Sequence, residues 1–485
     1  MKVYLLNPPY FPRFIRSARW QDTGRGGTLY YPVWLAYACG FLEQYYETRL
    51  VDAPAWNWDR QRVIEDVRSH RPDVIVVDSS FPSLKNDVTV AGFLKEVSGA
   101  TTVMVGPPAA LLSERILADS AVDVVARMEY EHTLLHLVRT LEKGGRLETV
   151  PGISYRSGGR IRHNADRGFT ADLDEIPFVS RVYRRHLDIR DYFLGSSLYP
   201  MVQIFTGRGC PYLCTFCSWP ETLMGRKYRV RSVKNVLDEL EWIQANLPGV
   251  REVFFEDDTF TVSSRRVAEF CTGYRQRRLR VAWACNARAT LDPEIMKEMK
   301  RAGCRLLIVG YESGSDEILK NIRKGITTDD IRNFARAARR AGLLVHGDFI
   351  IGLPRETRET VASTVRLIRE VRPDILQVSV ASPFPGTWFY RWARENGYLV
   401  TDDPGDYLDD QGHQRSVVSY PWLSAEEIAA YVDCILRDYY LSVRYVPLAF
   451  RQVFRRNGLY ELIRLGYSAR KFLSYIRGRW AYRSG

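Results

Sequence analysis

Three closely spaced cysteines are the residues of this chain whose type and spacing most clearly permit chemistry. Cys210, Cys214 and Cys217 lie in TGRGCPYLCTFCSWP with the spacing CxxxCxxC, while the other five cysteines are scattered. Three thiolates on one loop can hold three irons of a 4Fe-4S cubane and leave the fourth iron open. A closed zinc site or an electron-transfer cluster is the alternative, but each normally takes four protein ligands. The spacing therefore predicts a 4Fe-4S cluster with one open iron.

A second domain, residues 199–400, must position this loop. Short β-branched runs alternate there with helical patterns, and six strands are predicted, beginning near Val202, Glu252, Val281, Arg305, Leu343 and Asp374. Ser232 is a good N-cap for the first long helix. Six βα units predict a partial, TIM-like (βα)6 barrel, with chemistry at the carboxyl ends of its strands.

The first 145 residues show the same βα alternation. Five strands are predicted to begin near Val3, Thr48, Asp73, Thr101 and Asp123. This pattern is typical of a doubly wound, Rossmann-like α/β domain that binds ligands where its strands end. A connector, residues 146–198, carries a predicted hairpin whose turn contains Gly158 and Gly159. Residues 401–485 are predicted to form a helical, basic C-terminal region.

Polar residues follow the later strands of the second domain. The second strand leads into Glu256, Asp257 and Asp258, and the third into Arg288, whose guanidinium suits a carboxylate. The fourth strand ends at Glu312 in VGYESGS. A surface acid run, a solvated arginine and a helix-capping glutamate are the respective alternatives. The fifth strand enters GDFIIGLPRET, where glycine permits close backbone approach.

Taken in order, these elements resemble the radical SAM superfamily. In that superfamily S-adenosylmethionine (SAM) chelates the open iron, and the reduced cluster cleaves it to methionine and a 5′-deoxyadenosyl radical. The resemblance implies an electron donor such as flavodoxin or ferredoxin. The SAM contacts that it implies are Phe216, Asp257, Asp258, Arg288, Glu312, Ile350 and Gly352.

A doubly wound domain before such a barrel resembles the cobalamin-binding subclass. In the stretch that corresponds to its DxHxxG fingerprint, Pro54 stands where other cobalamin proteins have a cobalt-ligating histidine, a departure common in this subclass. Met128 to Glu131 replace a glycine-rich GEGE. A docking or substrate domain without cofactor is the alternative. The cobalamin contacts implied are Asp52, Ser79, Ser80, Ser83, Gly106 and Glu129.

Across nearly its whole length the chain most resembles B12-binding radical SAM proteins associated with hopanoid biosynthesis. The connector ADLDEIPFVSRVYRRHLDI and the stretch CSWPET carry this match. It implies a lipid-linked substrate that undergoes rearrangement or ring formation after hydrogen abstraction. Alternatives are a cobalamin-dependent methyltransferase, an anaerobic cyclase on another substrate, and a non-catalytic iron–sulfur protein. The sequence identifies no acid or base that completes the reaction.

The formal net charge of +12 is concentrated towards the end of the chain. From Leu441 onward ten Lys or Arg face one acid, Glu461, among aromatic and aliphatic residues. Such a segment can lie on an anionic membrane or meet a phosphate-bearing partner, and a solvated helix face is the alternative. No nucleic-acid-binding module is present, so no nucleic-acid partner is expected. No apolar run is long enough to cross a bilayer, and we expect a cytoplasmic protein, at most peripheral to the membrane.

Overall fold

A computed structural model describes residues 1–454 and 458–483, with side chains up to residue 476. The chain forms two sheets built mainly of parallel strands, each covered by helices, and a C-terminal group of helices. Short 3-10 turns occur at Leu147–Thr149, Leu173–Glu175, Phe260–Val262 and Pro404–Tyr407.

The first sheet has seven strands in the order β2-β1-β3-β4-β5-β6-β7, of which the first five are parallel. Its strands are β1 (Lys2–Asn7), β2 (Glu47–Asp52), β3 (Val74–Asp78), β4 (Thr101–Val105), β5 (Val124–Ala126), β6 (Ile153–Ser157) and β7 (Arg160–His163). The helices around it are α1 (Val33–Leu42), α2 (Ala53–Trp56), α3 (Arg60–His70), α4 (Leu84–Ser98), α5 (Pro107–Leu111), α6 (Ser113–Asp119), α7 (Glu131–Glu142) and α8 (Val179–His186). This order reverses direction between β1 and β3, the switch point at which doubly wound sheets bind ligands.

The predicted connector hairpin is formed by β6 and β7, and Gly158 and Gly159 both adopt positive φ in its turn. Strand β6 pairs antiparallel with β5, so the hairpin extends the first sheet. The first half of the predicted connector is therefore part of the N-terminal unit.

The second sheet has six parallel strands in the order β15-β14-β13-β12-β11-β8, and a two-stranded ladder, β9 with β10, lies beside it. The strands of this sheet and of the ladder are β8 (Met201–Ile204), β9 (Gly207–Arg208), β10 (Arg229–Val230), β11 (Glu252–Phe255), β12 (Ala282–Ala287), β13 (Cys304–Glu312), β14 (Leu344–Ile351) and β15 (Ile375–Val380). Its helices are α9 (Trp219–Thr222), α10 (Val233–Asn246), α11 (Ser264–Gln276), α12 (Pro293–Arg301), α13 (Asp316–Asn321), α14 (Thr328–Ala341), α15 (Arg358–Val371) and α16 (Trp388–Glu395). Ser232 caps α10 as predicted, since its hydroxyl accepts from Asn235 N at 3.1 Å.

Three C-terminal helices close the partial barrel: α17 (Ala425–Tyr440), α18 (Val446–Val453) and α19 (Gly458–Arg483). Helix α17 contacts β15 and β14 at the open side of the sheet. From α19, Glu461 accepts from Arg305 at the start of β13, at 2.8 Å. The predicted helical region begins only at Ala425, because residues 401–424 form turns and isolated bridges.

The predicted fold class, a doubly wound domain followed by a partial barrel and C-terminal helices, is confirmed. Within the described part of the chain, no helix combines the length and the apolar character needed to span a membrane.

Candidate functional site

The cysteine loop is held at both ends by backbone contacts. Gly209, just before Cys210, has φ +88°, and a Cβ there would lie 2.2 Å from the carbonyl oxygen of Lys227. Only glycine fits this turn. Cys210 N donates to Gly225 O at 3.2 Å, and Thr215 N donates to Ile322 O at 3.0 Å. The ladder of β9 and β10 thus fixes the place where the three cysteines leave the sheet.

The thiols of this loop lie in a half-buried, acid-lined environment. Burial raises the pKa of Cys210 and Cys217, the carboxylate of Asp258 raises both further, and Arg19 opposes this. The thiols of Cys210 and Cys217 therefore stay protonated until a cation replaces the protons. Thiolates around one zinc would lie about 3.8 Å apart for Zn–S of about 2.3 Å. The three sulfur atoms do not all lie within 4.8 Å of one another, which suits a larger, multi-iron group.

Among the described residues, three other potential metal ligands do meet within 4.8 Å: Cys39, Glu43 and His186. His186 Nδ1 accepts from Leu50 N at 3.4 Å, so Nε2 carries the proton and donates to Glu43, at 3.2 Å. Arg185 also pairs with Glu43, at 2.8 Å. These contacts satisfy the polar groups without a metal, and the cluster is structural.

The two aspartates after β11 have different surroundings. Asp257 accepts from the backbone N and the hydroxyl of Thr206, each at 2.6 Å, and so ties β11 to the end of β8. Asp258 Oδ1 accepts from Arg19 at 2.6 Å, while its Oδ2 is buried without a hydrogen-bond partner. Of the two predicted SAM contacts, Asp258 has an open acceptor and Asp257 has none.

The ends of β12 and β13 are linked through a turn at Lys324 and Gly325. Glu312, at φ +66°, accepts from Lys324 Nζ at 2.6 Å. Arg288 donates to the carbonyls of both turn residues, and its guanidinium lies 3.7 Å from the ring centroid of Tyr212 in the cysteine loop. The sequence predicted Arg288 and Glu312 but not the lysine between them.

Gly352, after β14, also has positive φ, +94°. Its N–H donates to Glu356 at 2.6 Å, and its carbonyl accepts from Tyr420 at 2.8 Å, so this backbone is fixed from both sides. Burial raises the pKa of Glu356 to about 8. A narrow cavity of about 40 Å³ brings together Phe216, Cys217, Ile350 and Arg19.

A larger cavity of about 360 Å³ occupies the interior of the barrel. Strand residues, the segment 15–30 and the helices α17 and α19 form its wall. Burial raises the pKa of Glu256 to about 8, against the opposing effects of Arg19 and Gln203. Burial, and then the charge of Glu312, also raises the pKa of Asp348, which lies 3.3 Å from His346 Nε2.

His346 also lines this cavity, and its imidazole carries no charge at neutral pH. Burial, together with Arg464, lowers its pKa to about 3, so the imidazole is neutral at neutral pH. Neither ring nitrogen has a hydrogen-bond partner of good geometry among the described residues. His346 therefore offers the cavity an uncharged hydrogen-bonding group, while Arg19, Arg25 and Arg464 also line it.

The carboxyl ends of the two sheets face one another. Phe81, after β3, stacks on Phe384, after β15, with ring centroids 5.3 Å apart. Helix α5, after β4, contacts α9 of the cysteine loop. Arg19, in the segment after β1, reaches Asp258. A molecule bound at the switch point of the first sheet would therefore face the cysteine loop.

Some of the residues predicted to contact cobalamin already have hydrogen-bond partners within the protein, and others do not. Asp52 accepts from Asn7 and Tyr192, each at 2.8 Å, and Glu129 accepts from Arg229 at 2.6 and 2.9 Å. Ser80 and Ser83 hydrogen-bond to each other at 2.7 Å. The hydroxyl of Ser79 is buried without a partner. At Gly106 a Cβ would lie 2.1 Å from Ser79 O, so the backbone segments that follow β3 and β4 approach each other closely there.

The site also contains groups that sequence reasoning missed, namely Arg19, Lys324, His346 and Asp348. Arg19 lies in residues 8–32, which show no periodic pattern that would place them. His346 and Asp348 could have been found, because they alternate with period two ahead of Ile350 and so share its face of the strand.

Two family models match the chain. The radical SAM superfamily model matches residues 204–368, and the B12 binding domain model matches residues 23–138. The chain is a radical SAM protein with a B12-binding domain. It is an enzyme, and its cofactors are a 4Fe-4S cluster, SAM and cobalamin.

The chain also aligns with several known proteins. An uncharacterized methyltransferase, PH0819, of Pyrococcus horikoshii is 29% identical over 94% of this chain and 96% of its own. An anaerobic magnesium-protoporphyrin IX monomethyl ester cyclase of Cereibacter sphaeroides is 28% identical over 75% of this chain and 60% of its own. The solved structure of the radical SAM methyltransferase TsrM from Kitasatospora setae, with cobalamin and cluster bound, has a TM-score of 0.72 at 17% identity, covering 98% and 99% of the two chains. That likeness shows the fold.

The resemblance to hopanoid-associated proteins is supported only at the level of the subclass. The hopanoid C-3 methylase of Methylococcus capsulatus is 28% identical over 70% of this chain and 64% of its own, so it is no more similar than the methyltransferase of P. horikoshii. A hopanoid-like substrate receives no specific support.

The donor groups fit these cofactors. Three half-buried thiols that stay apart suit a cubane, and the open oxygen of Asp258 beside them suits an ammonium group. At the switch point of the first sheet, the free hydroxyl of Ser79 and the close approach at Gly106 suit a large ligand. Pro54 lies in α2, and proline has no side-chain nitrogen that could bind a metal, so Pro54 cannot be a cobalt ligand.

Proposed function

We propose that the enzyme is a cobalamin-dependent radical SAM methyltransferase acting on a small-molecule substrate held in the barrel cavity. The observation that carries this proposal is that the carboxyl ends of the two sheets face each other across one space. A substrate bound in the cavity at the carboxyl ends of the barrel strands would then lie within reach of both cofactors. Relatives from P. horikoshii and K. setae described as methyltransferases support it.

We propose Cys210, Cys214 and Cys217 as the cluster ligands, with Phe216 and Ile350 packing beside bound SAM. When bound, the reduced cluster converts SAM to a hydrogen-abstracting radical and cobalamin carries the methyl group. Asp258 Oδ2 would accept from the SAM amino group, and Arg19, which donates to Oδ1, would hold that carboxylate in place.

Further assignments concern the rest of SAM and the corrin. Glu312, oriented by Lys324, would face the ribose, and the backbone at Gly352 would contact the adenine. Arg288 would face the SAM carboxylate with the nitrogens that do not hold the turn at Lys324. Asp257 acts through Thr206, as a positioning residue. Ser79, Ser80, Ser83 and Gly106 would border cobalamin, with Asp52 and Glu129 supporting the chain around it. Reduction requires an electron donor such as flavodoxin or ferredoxin.

The test is an anaerobic incubation of the reconstituted enzyme with cobalamin, reductant and SAM carrying a deuterated methyl group. We expect methionine and 5′-deoxyadenosine from one SAM and S-adenosylhomocysteine from another. A product that gains one labelled methyl in place of hydrogen supports methyl transfer. Cleavage of SAM without S-adenosylhomocysteine, and with a product of unchanged carbon count, would point to rearrangement or ring formation, as the resemblance to the cyclase of C. sphaeroides allows.

A further inference from the structure

Two adjacent C-terminal helices expose a set of large apolar side chains. Val446, Phe450 and Phe454 follow one another at four-residue spacing along α18 and its end, and the two phenyl rings stack with centroids 5.9 Å apart. Leu459, Leu462 and Ile463 form a second row on α19, which contacts α18. These six side chains, the apolar corner, are between 50% and 79% exposed. Exposed apolar patches of this kind mark interaction surfaces.

The charge around the apolar corner is positive. Glu461 is the only acidic side chain between Leu441 and residue 485, and it is buried, where it accepts from Arg305 at 2.8 Å and Arg464 at 2.9 Å. Burial alone would raise the pKa of Glu461, but the two arginines lower it, so the carboxylate stays ionised and internally paired. The acid therefore contributes no negative charge to the surface of this segment.

Basic residues flank the corner along the chain. Arg444 precedes α18, and Arg470 and Lys471 lie further along α19. Arg455 and Arg456 directly follow Phe454 in the sequence and lie outside the described residues. Apolar side chains at helical spacing with arginines and lysines beside them are the pattern of helices that lie in the interface of an anionic bilayer.

Two other occupants fit less well. A second copy docked on the same patch would bring the arginines of both chains together, and like charges oppose such an interface. An acidic electron donor would dock far from the cluster. Arg305, which contacts α19, is the second residue of β13, and Glu312 ends it, so the corner and the cysteine loop lie at opposite ends of a span of about 23 Å.

We propose that the apolar corner and its basic flanks bind an anionic lipid bilayer, with the apolar side chains inserted at the level of the headgroups. The opposite face of α19 lines the barrel cavity through Leu465, Ser468 and Phe472. One helix therefore separates the cavity from the bilayer. This surface does not depend on which reaction the enzyme catalyses.

The test is flotation of the full-length reconstituted enzyme with vesicles of phosphatidylcholine alone or mixed with phosphatidylglycerol. We expect binding to the anionic vesicles that weakens as salt is raised. Replacing Phe450→Ser and Phe454→Ser together should weaken this binding at least about tenfold, because two large apolar side chains no longer enter the bilayer. The single variant Phe454→Ser should show a smaller loss.

The matched control replaces two exposed apolar residues elsewhere, Tyr45→Ser and Val400→Ser, and should bind like the wild type. Thermal melting and SAM cleavage in solution should be unchanged in all variants. Wild-type binding that is absent, equal on neutral vesicles, or unaffected by the two phenylalanine substitutions would overturn the proposal. So would competition by free glycerol phosphate, or a dimer in sedimentation that the phenylalanine variant dissociates.

Discussion

At the scale of single residues, neighbours in the sequence have different roles in this site. Asp257 and Asp258 are adjacent, yet one braces Thr206 and the other leaves a buried oxygen open beside the cysteine loop. Both oxygens of Asp257 are held by Thr206, so only Asp258 has an oxygen free to face the site. The sequence predicts that a carboxylate stands here, but it cannot assign the two roles.

The cluster ligands provide the first prediction. Cys217→Ala removes one of three proposed ligands, so we expect the iron content to fall to near zero and 5′-deoxyadenosine formation to cease. Iron analysis, the visible absorbance and the SAM cleavage assay measure this. Cys434→Ala, a half-buried cysteine of α17, is the control and should keep its iron. A variant at Cys217 that retains a full cluster would refute the assignment.

Glu256 provides a prediction about pH. Burial raises its pKa in the folded protein to about 8, from 4.5, so the folded state holds a proton that the unfolded state loses. The free energy of unfolding should therefore fall as the pH rises from about 4.5 to about 8, by up to about 5 kcal/mol from this group. Urea unfolding at several pH values measures the slope.

The variant Glu256→Gln should flatten this slope, because glutamine does not titrate. Glu298→Gln is the matched control, since Glu298 is exposed and its pKa is lowered by hydrogen bonds from Arg275 and Arg301. An unchanged slope in the Glu256 variant would show that other carboxyls govern the pH dependence.

At the scale of elements, the turn before the first cysteine carries a strict steric requirement. In Gly209→Ala the new Cβ would meet a backbone oxygen at 2.2 Å, so the loop must shift and the cysteines with it. We expect lower iron content and destabilisation of about 1 to 3 kcal/mol. Gly168→Ala, where a Cβ has no neighbour within 4 Å, is the control. Equal iron content in both variants would contradict this account.

Helices and strands could be predicted from the sequence where burial requires apolar residues at regular spacing. Every strand of the seven-stranded and six-stranded sheets was predicted, because most of them are short apolar runs covered on both faces. The segment 8–32 has no such period, so the sequence did not place Arg19 beside Asp258. The pairing of Lys324 with Glu312 was missed because it joins the end of a strand to a turn that has no recognisable sequence pattern.

At the scale of the whole molecule, buried ion pairs join the first domain to the cysteine loop. Arg208, at the base of the loop, donates to Glu131 of α7 at 2.6 Å, and Arg229 donates to Glu129 at the same distance. All four side chains are nearly fully buried. The guanidinium of Arg208 also lies 4.7 Å from the ring centroid of Trp34 in α1. These contacts set how the first domain meets the barrel.

Removing one partner of such a pair should be costly. Arg208→Met leaves Glu131 buried without its counter-charge, and we expect the free energy of unfolding to fall by about 3 to 5 kcal/mol. Arg275→Met breaks the exposed pair with Glu298 and should cost less than about 1 kcal/mol. Urea unfolding of both variants measures the difference. Similar losses in the two would mean that the inter-domain pair is solvated.

The pairing of Arg305 with Glu461 also orders events during synthesis. The barrel strands emerge from the ribosome before α19, with residues 381–457 between β15 and this helix. Until then Arg305 contacts Glu252, at 2.9 Å, and the carbonyl of Ser196, and the wall that α19 adds to the cavity is missing. The nascent barrel is thus open on this side, and its interior closes only when translation has passed Phe472.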